Sequence, residues 1–451
     1  MSDKYLDFAN TPFGKKLLSN LGLPTPVRLS REDDNQPQRL SGDVLLGFSD
    51  RCEFESQLMS ALKDSGMKVL DESSKDSVNG LVFDASGIAS AEQSAQVYAF
   101  FHQHIRRLSE CGRVVLIGRT PETIDNSQKA TLQRGLIGFV KSVGKEIGRR
   151  GATANLLLIG EDGEKAMEEP LRFFLSRRSA FVSGQQLIVN KPVTGLSAIG
   201  SADFSSRPLS GKVVVVTGAA RGLGLATCQV FARDGARVVG VDIPESSERL
   251  KAGMDAINGL PLPLDITDQK APSVIMDYCR QQAGGLDIVV HNAGVTRDKT
   301  LAKMTEEQWN GLMEVNLASI QRINNTLLAT ELLDQGGRII MLSSVSGIAG
   351  NVGQTNYALS KAALIGIVEN MAAECAERGI TINAIAPGFI DTEMSAAIPF
   401  VIRQVSRRMS SLGQGGLPKD VAEAIAFLAN PQAAGVNGSV LRVCGQLLLG
   451  A

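Results

Sequence analysis

The sequence predicts an α/β protein with two domains, each built on a doubly wound parallel sheet that is covered by helices. Short apolar runs alternate with helix-like segments in residues 39–196 and again after residue 211, and this alternation is typical of strand–helix–strand units. Segments of the first half also recur, in the same order, in the second half. A chain of 451 residues has room for two such domains, or for three.

The first half begins with residues 1–38, which we expect to form an extended arm with a short helix within 13–23. Six apolar runs then predict strands at residues 43–48, 67–70, 80–85, 113–118, 152–159 and 186–190. Small and polar residues between 197 and 209 predict a boundary. The predicted units are the arm at 1–38, a first domain at 39–200 and a second domain at 208–451.

The repeat is clearest in three pairs of segments. GRVVLIG at 112–118 corresponds to GRIIMLS at 337–343, and GFVKSVGKEIGRRGATANLL at 138–157 corresponds to GIVENMAAECAERGITINAI at 366–385. SGQQLIV near the end of the first half matches NGSVLRV near the end of the second. Because chance is a poor explanation for recurrence in a fixed order, we infer that the first domain is a diverged copy of the second.

Composition argues against several classes of function. The net charge is −1, which gives no electrostatic basis for binding nucleic acid or a membrane surface, and no apolar run approaches the length of a membrane span. The six cysteines are scattered without a C-x-x-C pair, as expected of reduced thiols in a cytoplasmic protein. Three histidines, two of them in an H-Q-H, make a poor metal site, so we expect no metal.

A glycine-rich turn opens the second domain. KVVVVTG predicts a buried strand, and the pattern T-G-x-x-x-G-x-G places glycines at Gly218, Gly222 and Gly224. Such glycines permit a tight turn, a close approach of the backbone to a pyrophosphate, and close packing of helix on strand. The next strand ends in Asp242, whose carboxylate suits the hydroxyls of an adenosine ribose. We therefore predict a dinucleotide site here.

A second pattern predicts acid–base chemistry. Tyr357 and Lys361 are four residues apart on a predicted helix, so they share one face. A phenol has a pKa of about 10, which a nearby ammonium lowers, and it can then act on a carbonyl as a general acid or base. A lone Y-x-x-x-K is usually a pair of surface residues. Here, however, Ser344 stands at a strand end thirteen residues before the tyrosine, and the cofactor motif lies upstream.

Together these motifs resemble the short-chain dehydrogenase/reductase family over residues 208–451. The resemblance implies Rossmann-like domains, with Tyr357 as acid/base, Lys361 as its activator and Ser344 as the group that holds the carbonyl. Asn316 matches the fourth catalytic residue of the family, which kinks a helix and positions a water. The family's dinucleotide site maps to Gly218, Arg221, Gly222, Leu223, Gly224, Asp242, Asp265, Ile266, Asn292, Ala293, Gly294, Tyr357, Lys361, Pro387, Gly388, Ile390 and Thr392.

The acid at the end of the second strand favours NADH over NADPH as cofactor. A carboxylate at Asp242 would repel a 2′-phosphate, whereas Arg221 in the glycine turn could hold one and argues the other way. Two of these residues also have plainer interpretations. Asp242 would serve equally as a helix N-cap, and Asn292 as an amide that joins two strands.

The substrate is inferred from a narrower resemblance. Residues 295–317 and 343–364 resemble the 3-oxoacyl-acyl-carrier-protein reductase branch, and the extra first domain resembles its high-molecular-weight two-domain subgroup. This implies reduction of 3-oxoacyl thioesters of acyl carrier protein or coenzyme A. Residues 395–414 would form a mobile lid, whose apolar residues line an acyl channel and whose arginines meet carrier phosphates or only solvent: Ile398, Phe400, Val401 and Ile402, and Arg403, Arg407 and Arg408 with the neighbouring Arg378.

Two other functions stay open at this point. One is a related oxidoreductase that acts on a different ketone or alcohol, such as a steroid, a sugar or a xenobiotic. The other, of a different class, is a non-catalytic scaffold that binds NAD. The C-terminal G-x-D-G-G of the branch, an oligomer interface, is replaced here by Arg442-Val-Cys-Gly445-Gln, so we expect a homodimer in place of a tetramer.

The first domain has lost the residues of both motifs. Ser49, Glu53 and Glu55 stand where the second domain has its three glycines, and Arg119, Lys129 and Gln133 stand where it has its serine, tyrosine and lysine. Carboxylates in a phosphate loop repel a pyrophosphate. We therefore predict a degenerate, flavodoxin-like copy without a dinucleotide site, and nothing in residues 39–196 supports the rival prediction of a flavin site.

Overall fold

The chain folds around two separate parallel sheets, of six and seven strands, in a computed structural model. The structure describes residues 3–31, 40, 42–71, 74, 76–193, 207–330, 332–333, 335–396 and 398–447. The prediction of two parallel-sheet α/β domains is confirmed. The predicted boundary at 197–209 lies mostly outside the described residues, and we call the parts before and after it the first half and the second half.

The sheet of the first half has the strand order β2-β1-β3-β4-β5-β6, with every neighbouring pair parallel. Each of its strands overlaps one of the six predicted apolar runs. The order of the first five strands is the flavodoxin-like order of doubly wound sheets. The strands are β1 (Asp43–Phe48), β2 (Lys68–Leu70), β3 (Val78–Asp84), β4 (Leu108–Arg119), β5 (Thr153–Ile159) and β6 (Gln185–Val189).

The sheet of the second half has the order β13-β12-β11-β10-β7-β8-β9, again all parallel. The chain reverses its direction of winding between β7 and β10, and ligands of such sheets bind outside the carboxyl ends of the strands at this point. The strands are β7 (Val213–Thr217), β8 (Arg237–Asp242), β9 (Leu260–Pro263), β10 (Ile288–His291), β11 (Arg338–Leu342), β12 (Thr381–Pro387) and β13 (Val440–Val443).

Helices connect the strands and cover both sheets. Those of the first half are α1 (Lys4–Ala9), α2 (Pro12–Asn20), α3 (Glu55–Ser65), α4 (Ser94–His104), α5 (Ser127–Ile147) and α6 (Glu168–Leu175). Those of the second half are α7 (Gly222–Arg233), α8 (Ser247–Asp255), α9 (Ala271–Tyr278), α10 (Glu306–Met313), α11 (Ser319–Leu328), α12 (Val345–Ala349), α13 (Thr355–Glu377), α14 (Glu393–Ala396), α15 (Phe400–Arg408) and α16 (Pro418–Ala429). Among the described residues, no helix has both the length and the apolarity needed to cross a membrane.

The arm is more helical than the sequence predicts. The expected short helix is α2, but α1 precedes it and was not predicted. Its N-terminus is capped by Asp3, whose side chain accepts a hydrogen bond from the backbone N–H of Leu6. A helix of only six residues is stable mainly through its contacts with the rest of the fold. The local sequence does not reveal those contacts.

The first half packs against the second half as a twofold partner would. The rings of Phe173 and Phe427 stack with centroids 4.1 Å apart and planes at 8°, and the register that pairs Gly184 with Gly438 in the repeat also pairs these two phenylalanines. Backbone hydrogen bonds run in both directions, from Asn190 N–H to Gly435 O and from Gly445 N–H to Phe181 O, each at 2.9 Å. Reciprocal contacts of this kind are typical of an interface between two equivalent subunits.

Buried charges surround this stacked pair. Arg178 on the first half donates to Glu423 on α16 at 2.9 Å, and Arg233 on α7 bonds the same carboxylate. Burial acts to raise the pKa of Glu423, but the two guanidinium groups outweigh it and hold the pKa below its usual value. Separating the two halves would leave buried charges of this set without their partners, which is strongly destabilising. The set therefore helps to fix how the two halves are placed relative to each other.

Replacing Phe173 with Ala tests whether this contact holds the halves together. Phe173 is 1% exposed, so the substitution leaves a cavity against Phe427, and we expect the free energy of unfolding to fall by about 3–5 kcal/mol. Denaturant titration followed by circular dichroism measures the change. Phe13→Ala, at a side chain 69% exposed in the arm, is the matched control and should shift stability by about 0.5 kcal/mol or less. Equal effects of the two substitutions would contradict the role given to the stacked pair.

Candidate active site

The glycine turn lies at the carboxyl end of β7, and two of its three glycines are required by close contacts. Gly218 has φ +68°, and a Cβ there would lie 2.9 Å from the Cα of Ala293. A Cβ on Gly224 would lie 2.0 Å from the carbonyl oxygen of Gly218. A Cβ on Gly222 would meet nothing within 4 Å, because this residue faces open space at the start of α7. The turn is thus closely packed on its protein side and open where a phosphate would approach.

An open cleft of about 320 Å³ runs along this turn to the loop after β12. It is lined by Gly222, Leu225, Ala226, Gln229, Asp391, Thr392, Glu393 and Pro418. The first N–H groups of a helix bind anionic phosphates, and α7 presents its N-terminus to the cleft. The residues present therefore fit the pyrophosphate of a dinucleotide.

Asp242, Asn292 and Thr217 hold the turn from below. The Asp242 carboxylate accepts hydrogen bonds from the N–H groups of Ala220 and Ile243, both at 2.9 Å, so it braces the glycine turn and does not cap the helix that follows. The Asn292 amide donates to the carbonyl oxygens of Thr217 and Gly218 at 2.8 and 3.0 Å. The strand-joining interpretation of Asn292 is therefore correct, and a contact with cofactor stays a prediction.

The predicted catalytic residues converge at the carboxyl end of β11. Ser344 caps α12, and Tyr357 and Lys361 lie in the first turns of α13. The Ser344 hydroxyl lies close enough to the Tyr357 phenol to act to lower its pKa, and the Lys361 ammonium lies 5.7 Å from the centre of the tyrosine ring. Lys361 is only 3% exposed, and its Nζ donates to the carbonyl oxygen of Leu342 at 2.7 Å.

Asn316 lies in a π-helical turn, Glu314–Ala318, between α10 and α11. Its side chain is fully buried and spans the backbone of Val295, accepting from the N–H at 2.8 Å and donating to the carbonyl oxygen at 3.0 Å. A Cβ on Gly294 would lie 3.3 Å from the Asn316 Oδ1 and 3.4 Å from the Lys361 Nζ. A π turn thus interrupts the helix at Asn316, and a Cβ added to Gly294 would lie close to both Asn316 and Lys361.

Comparison with known proteins identifies the fold that carries this arrangement. A family model described as enoyl-(acyl carrier protein) reductase matches residues 218–445. The 3-oxoacyl-[acyl-carrier-protein] reductase FabG of Vibrio cholerae is 41% identical over 241 residues, which are 53% of this chain and 99% of that protein. The chain belongs to the short-chain dehydrogenase/reductase family.

Further members of the family support this assignment. FabG of Escherichia coli is 39% identical over 239 residues, which are 53% of this chain and 98% of that protein. The crystal structure of a short chain dehydrogenase from Burkholderia cenocepacia, in complex with NADP, is 32% identical with a TM-score of 0.50, over 53% of this chain and 98% of that one. The chain is thus an oxidoreductase of the short-chain dehydrogenase/reductase family.

The acidities of the catalytic pair differ from the prediction. Burial raises the pKa of Tyr357; the hydrogen bond with Ser344 opposes this and the charge of Asp298 adds to it, so the pKa lies above its usual value. The net lowering of the phenol pKa that the sequence predicts is therefore not found in this structure, because burial is the largest influence on the ring. Burial also lowers the pKa of Lys361 to about 8. A phenol that keeps its proton at neutral pH is suited to act as an acid on a carbonyl.

The remaining predicted cofactor residues fall into two groups. On the loop after β12, Thr392 lines the cleft, while Gly388 packs against Cys444 and Ile390 is buried. Pro387 is the last residue of β12. Of these four residues, only Thr392 lines the cleft; the other three lie within the strand or pack against neighbouring residues.

Three other predicted cofactor residues make local contacts. The Asp265 carboxylate accepts from the N–H and the hydroxyl of Thr267 at 2.9 and 2.8 Å, and Ile266 is buried in the hydrophobic core. Leu223 packs, partly buried, against the core below α7. Contact of these residues with a dinucleotide stays a prediction.

Two residues near the site, Gln354 and Glu393, were missed by sequence reasoning. Gln354 donates to the Asp298 carboxylate at 2.9 Å and accepts from Ser346 at 3.1 Å, which joins the loop before α13 to the loop after β10. Glu393 on α14 lies 3.1 Å from Arg249 and 3.6 Å from Arg221. Gln354 stands three residues before the catalytic tyrosine, and this proximity was the available signal.

The arginines of the proposed lid are engaged within the chain. Arg407 is 3% exposed and bonds Asp391 at 2.6 and 3.0 Å, and Arg408 bonds Asp3. Arg378 donates to the carbonyl oxygens of Leu328 and Thr330 at the end of its helix. The expectation that these three arginines meet carrier phosphates is therefore corrected, because carboxylates or carbonyls of the chain already bind their guanidinium groups.

The equivalent position in the first half contains an ion-pair cluster. Glu53, which replaces a turn glycine, lies 2.7 Å from Arg119 and 2.6 Å from Lys129. Burial acts to raise the pKa of Glu53, but the two cations outweigh it and lower the pKa. The Arg119 guanidinium also lies 4.7 Å over the ring of Phe54. Among the described residues, no group of three or more His, Cys, Asp or Glu side chains is arranged to hold a metal ion.

The acidity of Lys361 predicts a pH dependence. Because its pKa is about 8, the ammonium is present below that pH and is lost as the pH rises through it, so kcat/KM for carbonyl reduction should be constant at neutral pH and fall above about pH 8. The pH profile of kcat/KM, which reports groups of the free enzyme, measures this. Lys361→Arg keeps the charge, and any activity it retains should show no fall in this range. A profile that first falls near pH 6 would contradict the assignment.

Proposed function

We propose that the second half reduces 3-oxoacyl thioesters, carried by acyl carrier protein or coenzyme A, to 3-hydroxyacyl thioesters with NADH. The observation that carries the proposal is the convergence of Ser344, Tyr357, Lys361 and Asn316 at the carboxyl end of β11, on the same edge of the parallel sheet as the glycine turn after β7. The similarity to proteins named 3-oxoacyl-[acyl-carrier-protein] reductase supports the choice of substrate class.

The roles of the residues follow from their contacts. The dinucleotide, when bound, supplies the hydride. Tyr357 gives its proton to the developing alkoxide, and the Ser344 hydroxyl donates a hydrogen bond to the same oxygen. The Lys361 ammonium stabilises the phenolate that remains, since opposite charges nearby favour the ionised form. Asn316 holds the loop that carries Gly294 and so fixes the space beside Lys361.

Replacing Tyr357 with Phe removes the acid and leaves the ring. With acetoacetyl-CoA and NADH, we expect turnover to fall by about 10²–10⁴-fold, the usual contribution of a positioned general acid, while NADH binding measured by fluorescence stays unchanged. Tyr98→Phe, at a side chain 62% exposed on α4, is the control and should keep full activity. A wild type that binds NADH and reduces neither acetoacetyl-CoA nor steroid, sugar or xenobiotic ketones would refute the proposal and favour a scaffold.

We propose NADH as the preferred cofactor because of the charges around the end of β8. Asp242 carries a carboxylate at the turn, where it would repel a 2′-phosphate. Arg221, the residue that argued for NADPH, faces the carboxylate of Glu393 at 3.6 Å. The Burkholderia relative was crystallised with NADP. On this proposal, the two proteins therefore differ in the cofactor they prefer.

Asp242→Asn tests the cofactor preference. The substitution removes the negative charge and retains an acceptor for the glycine turn. We expect the ratio of kcat/KM with NADH to that with NADPH to fall by about tenfold or more, because a charge interaction that shifts a pKa by about one unit corresponds to a tenfold change. Asp255→Asn, at an exposed position of α8, should leave the ratio unchanged. A wild-type enzyme faster with NADPH would contradict the preference.

For the domains, we propose the arm at 1–38, a first domain at 39–200 without a cofactor site, and a catalytic domain at 208–451. The first domain takes the place of a second catalytic subunit on the face formed by α16 and β13, as the contact of Phe173 with Phe427 supports. Another copy of the chain must then bind elsewhere, which supports a homodimer. Free cysteines at all six positions support a cytoplasmic location.

A further inference from the structure

The N-terminal arm crosses the segment that joins α15 to α16. We call residues 408–417 the lid base, since α15 is the central helix of the proposed lid. Four contacts tie the arm to the lid base and to the first turn of α16. Three are hydrogen bonds, of Asp3 with Arg408, Val27 with Gln414 and Arg31 with Asp420. The fourth is the approach of Pro26 to Gly413, where an added Cβ would lie 3.4 Å from the proline Cβ.

The contact between Asp3 and Arg408 is the most completely built of the four. Each carboxylate oxygen accepts from a different guanidinium nitrogen at 2.8 Å, and the side chains are 7% and 19% exposed. The guanidinium also donates to the carbonyl oxygen of Gly413 at 2.8 Å and lies 4.5 Å over the ring of Tyr5. A two-point pair of this kind fixes orientation as well as distance.

The adjacent residue ties the same turn of α15 to the cofactor side. Arg407 bonds Asp391, which precedes Thr392 on the loop that lines the cleft. Near the opposite end of α15, three apolar side chains face solvent: Phe400 is 65% exposed, Val401 70% and Ile402 57%. The helix is therefore anchored at its C-terminal turn and exposes apolar side chains in its N-terminal turn.

We propose that the arm is a positioning element for substrate binding: Asp3 and Tyr5 hold Arg408 and thereby fix the base about which the apolar end of α15 closes on the acyl chain. The proposal rests on the proposed function for the identity of the substrate. Asp3 touches neither substrate nor cofactor, so it is a positioning residue. Residues 3–31 thus act on the catalytic half, far from them in sequence.

Asp3→Asn tests this directly. Asparagine caps a helix as well as aspartate does, so α1 keeps its N-cap, whereas the charge and one of the two acceptor oxygens opposite Arg408 are lost. We expect amide hydrogen exchange in residues 400–408 of the full chain to become about tenfold faster, as loss of a charged hydrogen bond implies. We also expect the KM for acetoacetyl-CoA to rise by about tenfold, with kcat and the NADH dissociation constant unchanged.

Two variants control the experiment. Asp7→Asn breaks the exposed pair between Asp7 and Arg28 in the same arm and should change neither exchange nor KM, because exposed pairs contribute little. Asp3→Glu keeps the charge and should restore most of the wild-type behaviour. Exchange is measured without substrate, so it decides the role of the arm even if the enzyme proves not to reduce 3-oxoacyl thioesters.

Three results would overturn the proposal. Exchange in 400–408 that is the same for Asp3→Asn and Asp7→Asn would show that the pair does not hold α15. Faster exchange in α13 as well would show a general loosening of the second half. Faster exchange in α15 with an unchanged KM would show that its position does not matter for substrate.

Discussion

A buried lysine ammonium is the constraint on which the active site depends. Lys361 is 3% exposed, and a buried charge is costly unless polar groups surround it. The chain satisfies it with the carbonyl oxygen of Leu342 at the end of β11, and the Ser343 hydroxyl bonds the lysine's own carbonyl oxygen at 2.7 Å. Gly347 and Gly294 approach too closely for a side chain to be added without shifts of their neighbours. The strand end, the loop and the helix thus meet at this one residue.

This constraint also explains the acidities. The low-dielectric surroundings that lower the pKa of Lys361 raise that of Tyr357, because burial disfavours a charged lysine and a charged phenolate alike. As a result the phenol stays protonated at neutral pH, and the ammonium loses its proton more readily than an exposed lysine does. Such a pair favours donation of a proton to a carbonyl over its removal from an alcohol.

Much of the fold was predictable because its signals are local. Apolar runs gave the six strands of the first half, and the glycine turn with Tyr357 and Lys361 gave the site of the second. Other features depend on contacts between distant residues. The pairing of Arg408 with Asp3 and of Arg407 with Asp391 turns expected substrate contacts into structural ones. No local pattern reveals that the partner of Arg408 lies 405 residues away, at Asp3. The pKa of Tyr357 was misjudged for a related reason, since burial is a property of the folded chain.

The first half has the parallel sheet expected of a diverged copy, and Phe173 stacks on Phe427 where it packs against the second half. At the position expected for a turn glycine it has Glu53, which pairs with two cations. Selection on packing and selection on chemistry act on different residues, so one can be kept without the other. The face of the catalytic half formed by α16 and β13 is thereby covered within a single chain.

Calorimetric titration of the full chain with NADH counts its dinucleotide sites. A catalytic second half beside a first half whose phosphate turn is occupied by an ion pair predicts one site per chain, and predicts that Gly224→Ala, whose Cβ would meet the carbonyl oxygen of Gly218, abolishes it. Two sites per chain, or a single site that survives this substitution, would contradict the assignment of the cofactor to the second half.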